Sequence, residues 1–205
     1  MAGPDSYLEP GGAAEVEEKV QRSLFIGRVE PCRNEAEARA ILGRVQAAHR
    51  DATHNCWAYV LGPEPLTEYS SDDGEPSGTA GRPILGALKR SGMVNAVAVV
   101  TRYFGGVKLG VRGLIEAYGG VAARAVAAAG VVERVRTRPF VVRLTWSAIG
   151  TVTRLLEERG ARGLTWVHGE EPSVRSMVPL SMAESLSRAL DELRSRGAIR
   201  GWNWE

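Results

Sequence analysis

Between Val94 and Val100 only Asn95 interrupts an apolar run. A stretch of that kind reads as a β-strand buried on both faces. It passes directly into Thr101-Arg102-Tyr103-Phe104-Gly105-Gly106-Val107-Lys108-Leu109-Gly110, a glycine-rich run that opens a predicted helix. The alanine-rich sequence from about Leu109 to Ala129 supplies that helix, and Gly130 ends it in the usual C-terminal position. Gly119-Gly120 lies inside it, where each glycine costs on the order of 1 kcal/mol relative to alanine, so close backbone packing or a bend is expected. A second glycine-rich run, Ser70 to Gly81, precedes another short helix, with Thr79 as its cap and Ile84, Leu85 and Leu88 turned inward. Glycine backbone permits close approach, and a helix start presents unpaired N–H groups with partial positive charge. Both junctions therefore read as anion sites.

The remaining pattern is mixed α and β. Strand character runs from Val16 to Val29, and Asn34 then caps a helix whose first turn holds Glu35 and Glu37. Ala38, Ile41, Leu42 and Val45 mark the buried stripe of that helix. Asn55 to Leu61 suits a strand; Gly62-Pro63-Glu64-Pro65 breaks it, and a loop is expected up to about Gly78. A second unit begins near Arg136. Phe140, Val142, Leu144 and Trp146 alternate along a strand, Ile149, Val152, Leu155 and Leu156 follow helical spacing, and a strand pair, a helix and a last strand complete the order βαββαβ. That order is the ferredoxin-like arrangement. The fold class is α+β, with domains at 1–135 and 136–205.

Composition narrows the function classes. The formal net charge is +2, with 15 basic against 16 acidic residues up to Val135 and 11 against 8 after it, so no broad electrostatic footprint for nucleic acid is present. No apolar stretch reaches the roughly 18 residues of a membrane span, and Met1 to Pro10 lacks the basic start and apolar core of a secretory signal. A cytoplasmic location without a membrane partner is expected. Cys32 and Cys56 are too few for a disulfide framework and have no zinc or redox spacing, so structural thiols are expected.

Several residues carry candidate chemistry. Asp72, Asp73 and Glu75, beside Ser71, Gly74 and Thr79, are suited to a hard cation such as magnesium or to a basic partner, against the plainer reading of a solvated acidic turn. The Gly105 to Gly110 run departs from the nucleoside-triphosphate loop pattern, because leucine follows Lys108. What remains is a less specific anion cradle at Gly105 and Gly106, with Arg102 and Lys108 as counter-charges, set against a plain strand-to-helix turn. Tyr103 and Phe104 offer stacking surfaces, or core packing. His54, next to Asn55 and two residues from Cys56, shares a strand face with that thiol, so a Cys–His pair or a metal site with His49 stands against a purely structural role. Neither a catalytic residue nor a cofactor is assigned.

Asp51-Ala52-Thr53-His54-Asn55-Cys56, Ser71 to Gly81 with Arg82-Pro83-Ile84, and Thr101 to Gly110 together resemble the signature of the YigZ/IMPACT family. The resemblance implies an N-terminal domain with the ribosomal-protein fold of elongation factor G domain IV, and a smaller second domain like domain V of that factor. It implies a tie to translation, with RNA, the ribosome or a translation-related protein as partner, and no established reaction. Eukaryotic members carry an additional N-terminal RWD domain, for which this chain is expected to have no room; their kinase-regulating role is not carried over. Val111 and Arg112 follow Lys108-Leu109-Gly110 where relatives tend to have small residues, and Glu116 stands at a frequently basic position. Two functions follow: docking on structured RNA or a translation component through the glycine-rich loops, or metal-assisted chemistry on a small phosphorylated or peptide-like substrate with His54 as base.

Overall fold

Alternation along the central strands decides which side of a sheet each helix covers. A computed structural model describes residues 3–205; they divide into a unit spanning Tyr7–Arg134 and a second of Val135–Glu205 with the chain start up to Ser6. The first unit contains β1 (Ser6–Pro10), β2 (Ala14–Val20), β3 (Ser23–Pro31), α1 (Glu35–Ala48), β4 (His54–Leu61), β5 (Thr67–Ser71), α2 (Gly81–Ser91), β6 (Ala96–Tyr103), α3 (Gly110–Ala129) and β7 (Val131–Val135). Five strands form an antiparallel sheet in the order β2-β3-β6-β4-β5, and β1 pairs with β7.

The apolar run becomes the central strand β6, buried along nearly its whole length. Ala96, Ala98 and Val100 join Cys56, Ala58 and Val60 of β4 in the core beneath α2 and α3, while Val97 and Val99 join Trp57, Tyr59 and Leu61 beneath α1. Fully buried side chains such as Ile84, Leu88 and Val121 each contribute about 1.5–3 kcal/mol of transfer free energy. Asn34 caps α1 as its sequence suggests, its Oδ1 accepting the Glu37 N–H at 2.8 Å. The expected loop from Gly62 to Gly78 is interrupted by β5, a short and partly exposed edge strand against β4.

In the second unit β8 (Thr137–Leu144), α4 (Ile149–Glu158), β9 (Arg162–Val167), β10 (Ser173–Pro179), α5 (Ala183–Ser195) and β11 (Ile199–Trp204) build an antiparallel sheet in the order β11-β8-β10-β9. Phe140, Val142 and Leu144 pack with Val152, Leu156, Leu186 and Leu190 of the two helices. The Asp5 carboxylate ties the chain start to this unit by accepting the N–H and the hydroxyl of Ser181 at 2.9 and 2.6 Å. Trp146 departs from expectation: it lies beyond the strand in a 3-10 turn, 56% exposed, with its ring stacked on His168.

Helix α3 crosses the sheet at a glycine. A Cβ added at Gly27 would meet Val121 Cγ1 at 2.6 Å and the Val121 carbonyl oxygen at 3.1 Å. Gly27→Ala is expected to destabilise the protein by about 1–3 kcal/mol through overpacking. In urea unfolding, the Gly27→Ala/Val121→Ala pair should lose less than the sum of the single losses.

Candidate functional site

The loop between β5 and α2 is held from within by its own carboxylates. Asp72 reaches forward across the loop: its Oδ2 accepts the Gly78 N–H at 2.8 Å, and its Oδ1 accepts those of Ala80 and Gly81 at 3.0 and 2.8 Å. The start of α2 is thus an anion site already filled by the protein's own anion, contrary to the expected vacancy. Burial pulls the Asp72 pKa upward, but the hydrogen bonds from Gly78, Gly81 and Ala80 and the nearby Arg82 guanidinium outweigh it, so the net shift is downward. Thr79 does not cap the helix: it is buried and its hydroxyl donates to the Pro76 carbonyl at 2.6 Å.

Neighbouring residues serve the same purpose. Asp73 Oδ2 accepts the Asn55 N–H at 2.6 Å, Ser71 Oγ accepts the Asp73 N–H at 3.3 Å, and Asn55 Oδ1 accepts the Thr101 hydroxyl at 2.7 Å. The shared strand face of His54 and Cys56 has a structural use, since the Cys56 thiol donates to the Asp72 carbonyl at 3.0 Å and His54 Nδ1 lies 2.7 Å from the Asp73 carbonyl oxygen. The pair latches two consecutive loop carbonyls and forms no thiolate–imidazole couple. Burial pushes the Cys56 thiol up to about 12, which removes it as a nucleophile. His49 is turned toward the Tyr103 hydroxyl, with Nδ1 at 2.9 Å, so neither joins His54.

Glu75 is the buried centre. Its Oε1 accepts from Arg102 Nη1 at 2.6 Å and from the Tyr118 hydroxyl at 2.8 Å. Arg102, 5% exposed, lies between the rings of Phe25 and Phe104, its Cζ 5.4 and 5.2 Å from their centroids. Its Nη2 donates to Ser23 Oγ at 3.3 Å, and its Nε is buried with no hydrogen-bond partner. Arg102 is therefore a structural cation rather than the open counter-charge expected. Gly105 is fixed by packing: a Cβ there would fall 1.8 Å from the Arg22 carbonyl oxygen. Gly106 takes φ 84° with open space around it, and Gly74 lies against the His54 ring.

Above this floor opens a cavity of about 440 Å³. His54, Glu75, Arg102, Phe104 and Lys108 line it, together with Thr53, Pro76, Leu109, Gly110, Val111 and Leu114. A carbonyl oxygen can only accept, so His54 Nδ1 carries the proton toward Asp73 and leaves Nε2 as the second ring nitrogen, 3.9 Å from Glu75 Oε1. Phe104 is 44% exposed, Lys108 is exposed, and α3 begins here without a side-chain cap. Of the sequence-predicted residues, Asn55, Ser71, Asp72, Asp73, Gly74, Thr79, Tyr103, Gly105 and Gly106 are not among those lining the cavity. Sequence reasoning missed Tyr118 and Leu114, whose helical spacing on α3 reads as core, and Thr53, whose hydroxyl accepts the Phe104 N–H at 3.0 Å. Among the described residues no three His, Cys, Asp or Glu side chains are grouped to hold a metal ion, and no helix is long and apolar enough to cross a membrane.

The model of the Impact N-terminal domain matches residues 21–126, a span that contains the whole cavity. The chain is 40% identical over 153 residues to the IMPACT family member YvyE of Bacillus subtilis, covering 75% of this chain and 70% of that protein. It is 45% identical over 142 residues to the IMPACT family member in pol 5'region of Thermus thermophilus, covering 68% of this chain and 75% of that protein. A crystal structure of a hypothetical protein aligns over 96% of each chain with a TM-score of 0.68 and 30% identity.

Two outcomes test the loop. Asp72→Ala should cost about 2 kcal/mol at neutral pH, from the loss of a cap. Because the folded-state pKa of Asp72 is depressed, its stabilisation is present above the ordinary carboxylate pKa and lost as pH falls through the folded value, so the two proteins should converge in acid when unfolding is followed across pH. Cys32 and Cys56, both buried and both pushed up to about 12, should resist alkylation at pH 8 until denaturant unfolds the chain.

Proposed function

The chain belongs to the IMPACT family, and from that premise we propose that it is a non-catalytic, cytoplasmic binding protein linked to translation, docking on structured RNA through the cavity at the start of α3. In this reading the unit of Tyr7–Arg134 corresponds to domain IV of elongation factor G and the βαββαβ unit to domain V, as the family resemblance implies. One observation carries the proposal: an uncapped helix start, an exposed lysine and an exposed aromatic ring meet at a single open cavity. Helix N–H groups and Lys108 suit phosphate, and Phe104 suits a base. The start of α2, filled by Asp72, takes no part.

A catalytic reading rests on His54, whose Nε2 stands beside the buried Glu75 at the same cavity. Its metal-assisted form is weakened, because Asp72, Asp73 and Glu75 already accept hydrogen bonds from the protein. A metabolite screen in which His54→Ala retains full turnover removes the proposed base.

Ribosomal RNA fragments titrated by fluorescence anisotropy between about 50 and 200 mM salt test the binding reading. Lys108→Ala should weaken binding and reduce the slope of log K against log salt by about 0.7–0.9, the loss of one phosphate contact. Absence of binding at low salt overturns the proposal. Arg102→Ala is unsuited to the test, since removing one partner of a buried pair costs about 3–5 kcal/mol of stability.

A further inference from the structure

We infer that the cavity takes a single nucleotide carrying a terminal phosphate monoester, with the phosphate on the first N–H groups of α3 and Lys108 and the base against Phe104. The inference rests on the RNA-docking reading and names the part of the ligand that this site reads. Size comes first. A cavity of about 440 Å³ lies within the range of small-molecule sites and is too small for a helical segment of RNA, so what enters is one unit.

The lining is divided by chemistry. Leu109, Val111, Leu114 and Pro76 form an apolar wall, and Phe104 presents an exposed ring whose neighbour is the Arg102 guanidinium. A planar base suits that surface, because stacking on an aromatic ring needs no particular base edge. Of the polar lining residues, which also include Thr53, His54, Glu75 and Arg102, Lys108 lies at the start of α3. Lys108 is exposed at the cavity, Gly110 and Val111 are its first two helical residues, and no side chain caps them. The floor supplies no competing net charge, since Glu75 is paired with Arg102 and also accepts from Tyr118.

Within the same lining, Arg102 is 95% buried and its Nε has no hydrogen-bond partner, although its Nη1 and Nη2 are bonded to Glu75 and Ser23. A terminal phosphate monoester carries about −1.5 to −2 charges near pH 7, against a single charge on an internal phosphodiester. A helix start with an adjacent lysine favours the more highly charged group. Strand ends and free nucleotides share this chemistry, and the experiment separates them.

Anisotropy titrations use the full chain with four probes: one RNA strand bearing a 5′-phosphate, the same strand with a 3′-phosphate, the same strand with hydroxyls at both ends, and adenosine monophosphate. At least one phosphorylated strand should bind about tenfold tighter than the hydroxyl strand, and Lys108→Ala and Phe104→Ala should erase the difference. Val111→Asp guards against a purely structural effect. Val111 is 61% exposed in the first turn of α3, where an added carboxylate favours the helix; thermal stability should hold or rise while the phosphate preference disappears. Equal affinity for phosphorylated and hydroxyl strands overturns this inference and leaves RNA docking standing. Binding of adenosine monophosphate that Lys108→Ala abolishes, with no strand bound at low salt, supports the nucleotide site and overturns RNA docking. No binding of any probe overturns both, whereas displacement of bound RNA by an acidic peptide at lower concentration than by adenosine monophosphate overturns the nucleotide site alone.

Discussion

A single buried carboxylate holds together the end of the first unit at which the cavity opens. Glu75 comes from the loop before α2, Arg102 from the end of β6 and Tyr118 from the middle of α3, and all three meet at one oxygen. An ion pair withdrawn from water is poor evidence of net stabilisation, because desolvation opposes the attraction. Its effect here is positional. With both partners below 9% exposed, loss of either charge leaves the other unpaired, so loop, strand and helix are held to one arrangement. The guanidinium also fits between Phe25 and Phe104 as a flat cation, a role for which a lysine ammonium lacks the shape.

The two helix starts show how one physical tendency serves two ends. Both follow a glycine-rich run, and at both the first N–H groups have no partner within the helix itself. At α2 the chain supplies the anion itself, Asp72, and thereby fixes the path of the loop that carries Glu75. At α3 the residue before the helix is Leu109, which has no acceptor to offer, and the neighbouring side chains are a lysine and an exposed phenylalanine. The difference between structural and available sites therefore lies in whether an acidic residue can reach back to the amides, which glycine content does not reveal.

Local features were legible in the sequence and distant ones were not. The Asn34 cap acts three residues away, and the double burial of β6 follows from its own composition, so both could be read directly. Edge strand β5 escaped notice because Thr-Glu-Tyr-Ser-Ser has little apolar alternation and lies between a proline-rich break and a glycine run. The capping of α2 escaped because Asp72 acts from eight and nine residues upstream, outside the position where a cap is sought. Trp146 fits the alternation of β8 in sequence, yet the strand stops at Leu144 and the ring lies exposed on His168. Tyr118 falls on the apolar stripe of α3; only the fold shows that its hydroxyl reaches Glu75.

At the cavity, His54 and Lys108 draw different consequences from the same surroundings. The Asp73 carbonyl fixes the His54 tautomer and so fixes which nitrogen remains beside Glu75, making the imidazole part of the loop's own structure. Lys108 is exposed, with Arg102 already neutralising the carboxylate beneath it, so its charge is left to act on solvent and on whatever enters. The sign of the site is therefore set at its rim. The floor is thus electrically balanced while an exposed cation stands beside the start of α3, and the proposed binding of an anion rests on that cation and that helix start.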